Sequence, residues 1–298
     1  MSSAVGATSA PIAEPAPARE TETVTTSVRR RSWWPLAGLI LPLALVVLWQ
    51  VGAESGAIKT QIASTPGQVV ATLWTLLTNG VLAKEFVSTV TRIAFGFAIG
   101  LGLGLGLGIL TGWIRVADRL IDPSLRALNA VPAVGWIPFL ILWLGIGDIS
   151  KIALISLATF FPIYANTYAG IRSTDQKLIE LALAYRLPRR TIVSRIVIPS
   201  AVPQILVGVR VAIAVTWVVG TVSEILYGNN GLGVLLNDGR SLARPDQMVA
   251  LLIVLAVLGK ASDAVVVRLQ RRLTSWQSNL DSMPAYKARV IAAREPQA

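Results

Sequence analysis

Four charged side chains lie inside long apolar runs of this sequence: Arg92, Arg210, Lys260 and Asp263. Ionised groups are costly in hydrocarbon, so each needs a partner or a task. Lys260 and Asp263 stand three apart, one helical turn, and can neutralise each other. Arg92 can snorkel to the interface or pair with Glu224. Arg210 has two readings: a fixed positive charge that attracts an anionic solute, or a structural arginine bonded to carbonyls or headgroups. The polar and aromatic residues Asn129, Trp136, Thr159, Tyr164, Asn166, Thr216 and Trp217 can line a path or bond helix to helix. Catalytic machinery is not in view. The chain has no histidine and no cysteine, which removes thiolate and imidazole metal ligands, cysteine nucleophiles and every Ser-His-Asp arrangement. A membrane enzyme would need converging carboxylates or a metal site, and neither is expected.

Of the 298 residues 53% are hydrophobic and 14% charged, and the mean hydropathy is +0.62. A soluble domain carries roughly 25% charge, and a soluble core could not hide this much apolar surface. The composition implies an all-α integral membrane protein. Six runs approach the ~20 residues needed to cross a bilayer: near 34–52, 86–112, 128–146, 151–170, 202–222 and 248–267. Of the 27 Lys and Arg, 19 fall in the N-terminal tail, alternate loops and the C-terminal tail, and five on the opposite side. That asymmetry puts both termini in the cytoplasm. It also explains the net charge of +11 by topology, without nucleic acid. Residues 1–32 have no apolar period and read as a disordered cytoplasmic tail, 33–270 as the membrane domain, and 271–298 as a second cytoplasmic tail.

Within the second run, Gly96, Gly100, Gly104, Gly108 and Gly112 recur every four residues. On a helix they form one bare stripe, where another backbone can approach closely. The run is no dinucleotide fingerprint, since the spacing and the strand–turn–helix context are both absent. Pro42, Pro132, Pro138 and Pro162 add kinks.

The segment from Gly170 to Arg210 departs most from a plain loop. Thr174 or Asp175 can cap a helix with Leu178, Leu181, Ala182 and Tyr185 at helical spacing. Pro188 can open a second helix with Ile192, Val193, Ile196 and Val197 on one face. Two readings fit such a pair: helices lying on the lipid surface, or a knob whose apolar face fills a groove on another protein.

Here the sequence resembles a family. Glu180-Leu181-Ala182, followed by Ile196-Val197-Ile198-Pro199, is similar to the coupling loop of ABC importer permeases. Thr65-Pro66-Gly67, residues 127–175, Gly208-Val209-Arg210, Trp217, Glu224, Gly231-Leu232-Gly233 and Trp276 resemble the branch that imports aliphatic sulfonates, taurine and nitrate. The resemblance implies a six-transmembrane-helix core with a cytoplasmic helical coupling loop over 171–199. It implies that Asp175, Glu180, Leu181, Ala182, Tyr185, Arg186, Pro188, Ile198 and Pro199 meet an ATP-binding subunit, present in two copies. It further implies an extracytoplasmic solute-binding protein, a second copy of this chain, and a cytoplasmic-membrane location. The chain has no Walker run: Gly259-Lys260 is followed by Ala261 inside an apolar span. No cofactor is expected on this chain, with ATP and Mg on the partner ATPase. Asn129, Trp136, Tyr164, Asn166, Arg210, Trp217 and Glu224 are the candidates for the translocation path. Two positions depart from the family: Leu181 replaces the usual Ala, and Arg186 replaces a Gly that could take a positive φ without strain. The rival class is a secondary carrier or channel without an ATPase, which predicts inverted repeats and paired intramembrane acids.

Overall fold

The structure, a computed structural model, describes residues 34–55 and 64–274. The expectations for residues 1–32 and for the tail beyond 274 lie outside them. All regular structure among the described residues is helical. Helix α1 (Trp34–Glu54) carries the first apolar run. After it come α2 (Pro66–Thr78), α3 (Val81–Trp113), α4 (Arg115–Asn129) and α5 (Ile137–Leu144). Next are α6 (Asp148–Arg172), α7 (Gln176–Ala184), α8 (Arg189–Ile192), α9 (Ile198–Tyr227), α10 (Leu232–Ser241) and α11 (Pro245–Leu273). Among the described residues four helices, one of them α8 and α9 run together, are long and apolar enough to span a membrane, and one bent pair makes a fifth.

Two expected segments take a different form. The run 128–146 is not one helix: α4 ends at Asn129, a 3-10 turn covers Ala133–Trp136, and α5 follows at 93° to α4. Pro132, extended at φ −54° and ψ 135°, breaks the helix, and Pro138 restarts it in the first turn of α5. The second loop helix, in turn, is not separate from the fifth span. From Arg189 to Tyr227 the chain runs as one 39-residue helix. Pro199 lacks an N–H to continue the ladder, and the five-residue π turn Val193–Val197 just before it widens the helix instead of breaking it.

Helix α6 is the most enclosed and lies between α3 and α9. Its β-branched residues Ile155, Thr159, Ile163, Thr167 and Ile171 form a ridge of period four that sits on Gly96, Gly100, Gly104, Gly108 and Gly112 of α3. A Cβ on Gly104 would lie 2.9 Å from Ile163 Cβ and 3.0 Å from Phe160 O; on Gly108 it would lie 2.7 Å from Thr167 Cβ. Gly102 and Gly106, on the other side of α3, face open space. Against α9 the roles reverse, and Gly208 receives the Asn166 side chain.

At the α10 end of the bundle the helices are tied by buried charge. Arg92 is 3% exposed, and its Nε donates to Asp148 at 2.7 Å. Its Nη1 donates to Glu224 at 2.8 Å and to the Asn230 carbonyl at 3.0 Å, and its Nη2 donates to Asn230 Oδ1. Lys151, 1% exposed, lies 3.5 Å from Asp148. The same carboxylate of Glu224 accepts from Thr89 at 2.9 Å and from the Gly233 amide at 2.9 Å. Leu232 N donates to Thr89 Oγ1 at 2.8 Å, and Gly231 N donates to Glu85. The first amides of α10, orphaned as at any helix start, are thus taken up by α3 and α9. Gly231, at φ 120°, has no room for a Cβ, because Glu224 occupies that space.

Two expectations follow for the detergent-solubilised protein. Gly104→Val should destabilise it by about 1–3 kcal/mol through overpacking, seen as a lowered thermal midpoint, whereas Gly106→Ala should leave the midpoint unchanged or slightly raised. Arg92→Met should cost about 3 kcal/mol or more by stranding Glu224. The double variant Arg92→Met/Glu224→Leu should lose less than the two single losses combined; strictly additive midpoints would mean that the pair is not coupled.

Candidate functional site

The loop between α6 and α9 is built on α7. Asp175 is its cap, accepting from Lys177 N at 2.9 Å. Ala182 is 3% exposed and packs with Ile171, Ile192, Val197 and Ala201, joined by Ile179 and Ile198. The rest of the expected stripe points outward: Leu178, Leu181 at 55% and Tyr185 at 75% exposure. With Leu187, Ile196 and Pro199 these side chains line an open apolar groove of about 410 Å³, and Arg195 stands at its edge. Glu180 and Pro188 are exposed beside it.

Arg186 closes α7. Its N–H donates to Leu183 O at 2.8 Å, and Leu187 N donates to Ala182 O at 3.0 Å. These two bonds form a Schellman cap, whose left-handed position is normally glycine. Arg186 holds it at φ 55°. The bend therefore falls on Arg186 itself, with Pro188 only starting the next helix. A second such cap closes α10, where Ala243 sits at φ 52° and Arg244 N donates to Gly239 O at 2.7 Å. These are the only non-glycine residues with positive φ among the described residues.

The candidate path residues do not converge on one site. Glu224 is spent in the buried network at the α10 end. Tyr164, also buried, donates to Asp122 at 2.8 Å and lines, with exposed Asn129, a cavity of about 210 Å³ beside Arg126. Asn166 bonds Pro162 O and accepts from Gln204 at 2.8 Å. Trp136 ends the 3-10 turn, with its buried indole N–H unpartnered. Thr159 and Thr216 bond each other at 2.7 Å. Trp217 donates to Ser262 at 3.1 Å and shares an open groove with Arg210, Lys260 and Asp263. In that groove the pair expected from spacing, Lys260 with Asp263, is present, and Arg210 joins it as the closer partner. Arg210 takes Asp263, with Nε at 2.7 Å and Nη2 at 3.4 Å, and Lys260 is left at 3.4 Å from the same carboxylate. Arg210, on the facing helix, makes the tighter contact because it presents its fork to both oxygens.

Sequence reasoning did not single out Thr89, Asp148, Lys151 or Asn230 for the network around Arg92. Asp148 and Lys151 bracket a short turn and read as ordinary loop charges. The intramembrane Arg92 was the signal that partners had to exist.

Residues 98–275 match the family model described as binding-protein-dependent transport system inner membrane component. The chain is 38% identical over 251 residues to an aliphatic sulfonates transport permease protein (SsuC) of Escherichia coli K12, covering 84% of this chain and 93% of that one. To the SsuC protein of Bacillus subtilis 168 it is 34% identical, covering 85% and 91%. Among solved structures, one of the methionine ABC transporter MetNI in inward facing conformations aligns with a TM-score of 0.57 at 18% identity. It covers 65% of this chain and 96% of that one, and shows a shared fold. The chain therefore belongs to the binding-protein-dependent transport inner membrane component family, as the permease subunit of an ABC importer whose ATP is hydrolysed on a separate subunit.

Proposed function

We propose that this permease imports a small oxyanion of the aliphatic sulfonate, taurine or nitrate class. It pairs with a second copy of itself, two copies of an ATP-binding subunit and an extracytoplasmic solute-binding protein. The solute class rests on the sulfonate permeases it is similar to, and the orientation, with both termini and α7 in the cytoplasm, on the 19-to-5 distribution of Lys and Arg. The coupling assignment rests on one observation. Helix α7 buries Ala182 and half-buries Ile179 but leaves Leu178, Leu181 and Tyr185 beside a ready groove. A contiguous unpartnered apolar patch with cationic edges fits a groove on another protein. ATP closing the partner dimer pushes on this loop, and the permease turns between inward-open and outward-open forms. Asn166, Arg210 and Trp217 border the path, while Glu224 holds the outer end together.

The test is a mild-detergent purification of the tagged chain from its own membranes, with partners identified by mass spectrometry. Wild type should bring down an ATP-binding subunit, and Glu180→Lys should recover several-fold less of it. A wild-type sample free of ATPase even after crosslinking would overturn the reading in favour of a carrier with a surface loop. Arg186→Gly should raise the thermal midpoint, by about 1 kcal/mol of relieved strain, with the ATPase retained. Loss of the ATPase in that variant would assign the guanidinium itself to the contact.

A further inference from the structure

The groove between α9 and α11 holds three charges at membrane depth. Arg210 lies twelve residues from the start of α9 and seventeen from its end; Lys260 is fifteen and thirteen residues from the ends of α11. At about 1.5 Å per residue both stand roughly 18 Å or more from either helix end. Their side chains are nonetheless 52% and 80% exposed, against 23% for Asp263. Charge that open to hydrocarbon would be expensive, and Asp263 is too short to snorkel.

The surroundings are mixed, since Val207, Val211 and Val257 are exposed near the triad. Toward the α7 end, the exposed side of α9 carries Ser200 and Gln204, the latter bonded to Asn166. On the far side of α3 and α6, by contrast, a groove of about 500 Å³ is lined by Ile99, Leu103, Leu107 and Phe160, with a single hydroxyl, Ser156, among apolar side chains. The α9–α11 side thus mixes polar and apolar side chains, where the α3–α6 groove is almost wholly apolar.

Within the triad the charges are unequal. Arg210 and Asp263 form a close forked pair and cancel, whereas Lys260 touches the shared carboxylate at 3.4 Å only. The triad therefore has a net charge of +1, carried by the most exposed of its members. We infer that the Arg210–Asp263–Lys260 groove is a water-filled anion site on the translocation path, and that Lys260, the most exposed and most loosely held of the three, presents its surplus positive charge. This deepens the reading of the chain as an oxyanion permease and rests on it. Arg210 acts through Asp263 as a positioning residue, taking the closer hold on the carboxylate that Lys260 shares. A sulfonate or similar anion meets Lys260 with Trp217 beside it.

The natural absence of cysteine makes the test direct. Ala214→Cys and Ala256→Cys, both in the groove, are placed singly in the tagged full chain, assembled with its partners in inside-out vesicles from its own membranes. The vesicles are then treated with membrane-impermeant methanethiosulfonates, one anionic and one cationic. Both cysteines should react, and Leu103→Cys in the apolar groove should not. The anionic reagent should be favoured, relative to a free thiol, by about fivefold, as expected for one charge at partly screened range. Lys260→Gln should abolish that preference, Lys260→Arg should keep it, and Asp263→Asn should increase it. Groove cysteines that react only after solubilisation, or a preference unchanged in Lys260→Gln, would overturn the inference. Each variant is read at equal membrane level by immunoblot, and Lys260→Arg controls for loss of fold. The ATPase is probed in the same vesicles: a bound ATPase with a dry groove sinks this site alone, and a missing ATPase sinks the permease reading itself.

Discussion

The close approach of α3 to α6 is the constraint from which the rest of the arrangement follows. Five glycines in register with five β-branched residues bring the second half of α3 against most of α6. Packing of this kind needs no polar glue, and in lipid, where apolar burial gives little advantage, it is the main force available. Once α6 is clamped to α3, its opposite side is free to take α9, and α9 in turn carries α10 and α11. Removing the bare stripe would dissolve the frame that holds every charged residue in place.

The two ends of that frame are built differently. At the α10 end the charges are mutually satisfied and, apart from exposed Asp148, largely buried: Arg92 is shared among Asp148, Glu224 and Asn230. A desolvated network of this kind is intolerant of partial disruption. At the α7 end and along the α9–α11 groove, charges and apolar side chains are left exposed. One end is closed by internal bonds, and the other leaves its side chains open to their surroundings.

Much of this was legible in the chain. Composition and hydropathy gave an all-helical membrane protein, and the loop from Glu180 to Pro199 with the stretch 127–175 gave the permease family. Period alone could not say which residues of α7 turn inward: spacing grouped Leu178, Leu181 and Tyr185 with Ala182, yet only Ala182 and its neighbour Ile179 are packed. Local spacing did give the contact of Lys260 with Asp263, but not Arg210 as its closer partner, which depends on the helix across the groove. The same limit hid Asp148 and Asn230, whose roles exist only through contacts across 56 and 138 residues of sequence. The two breaks read differently for a related reason. Pro132 ends its helix, but Pro199 does not, because a π turn and the packing of Val197 and Ala201 carry the chain through.

The unbroken helix from Arg189 to Tyr227 has a mechanical consequence. It is 39 residues long, roughly 58 Å at 1.5 Å per residue. Arg195, Ile196 and Pro199, beside the open apolar groove, stand near one tip, and Glu224, in the buried charge network, near the other. These two places are thus points on a single stiff rod. A tilt or torque applied at the groove reaches Glu224 as the motion of a lever, with no relay of side chains in between. The place where the rod can yield is the widened turn at Val193–Val197, next to the point where force would enter.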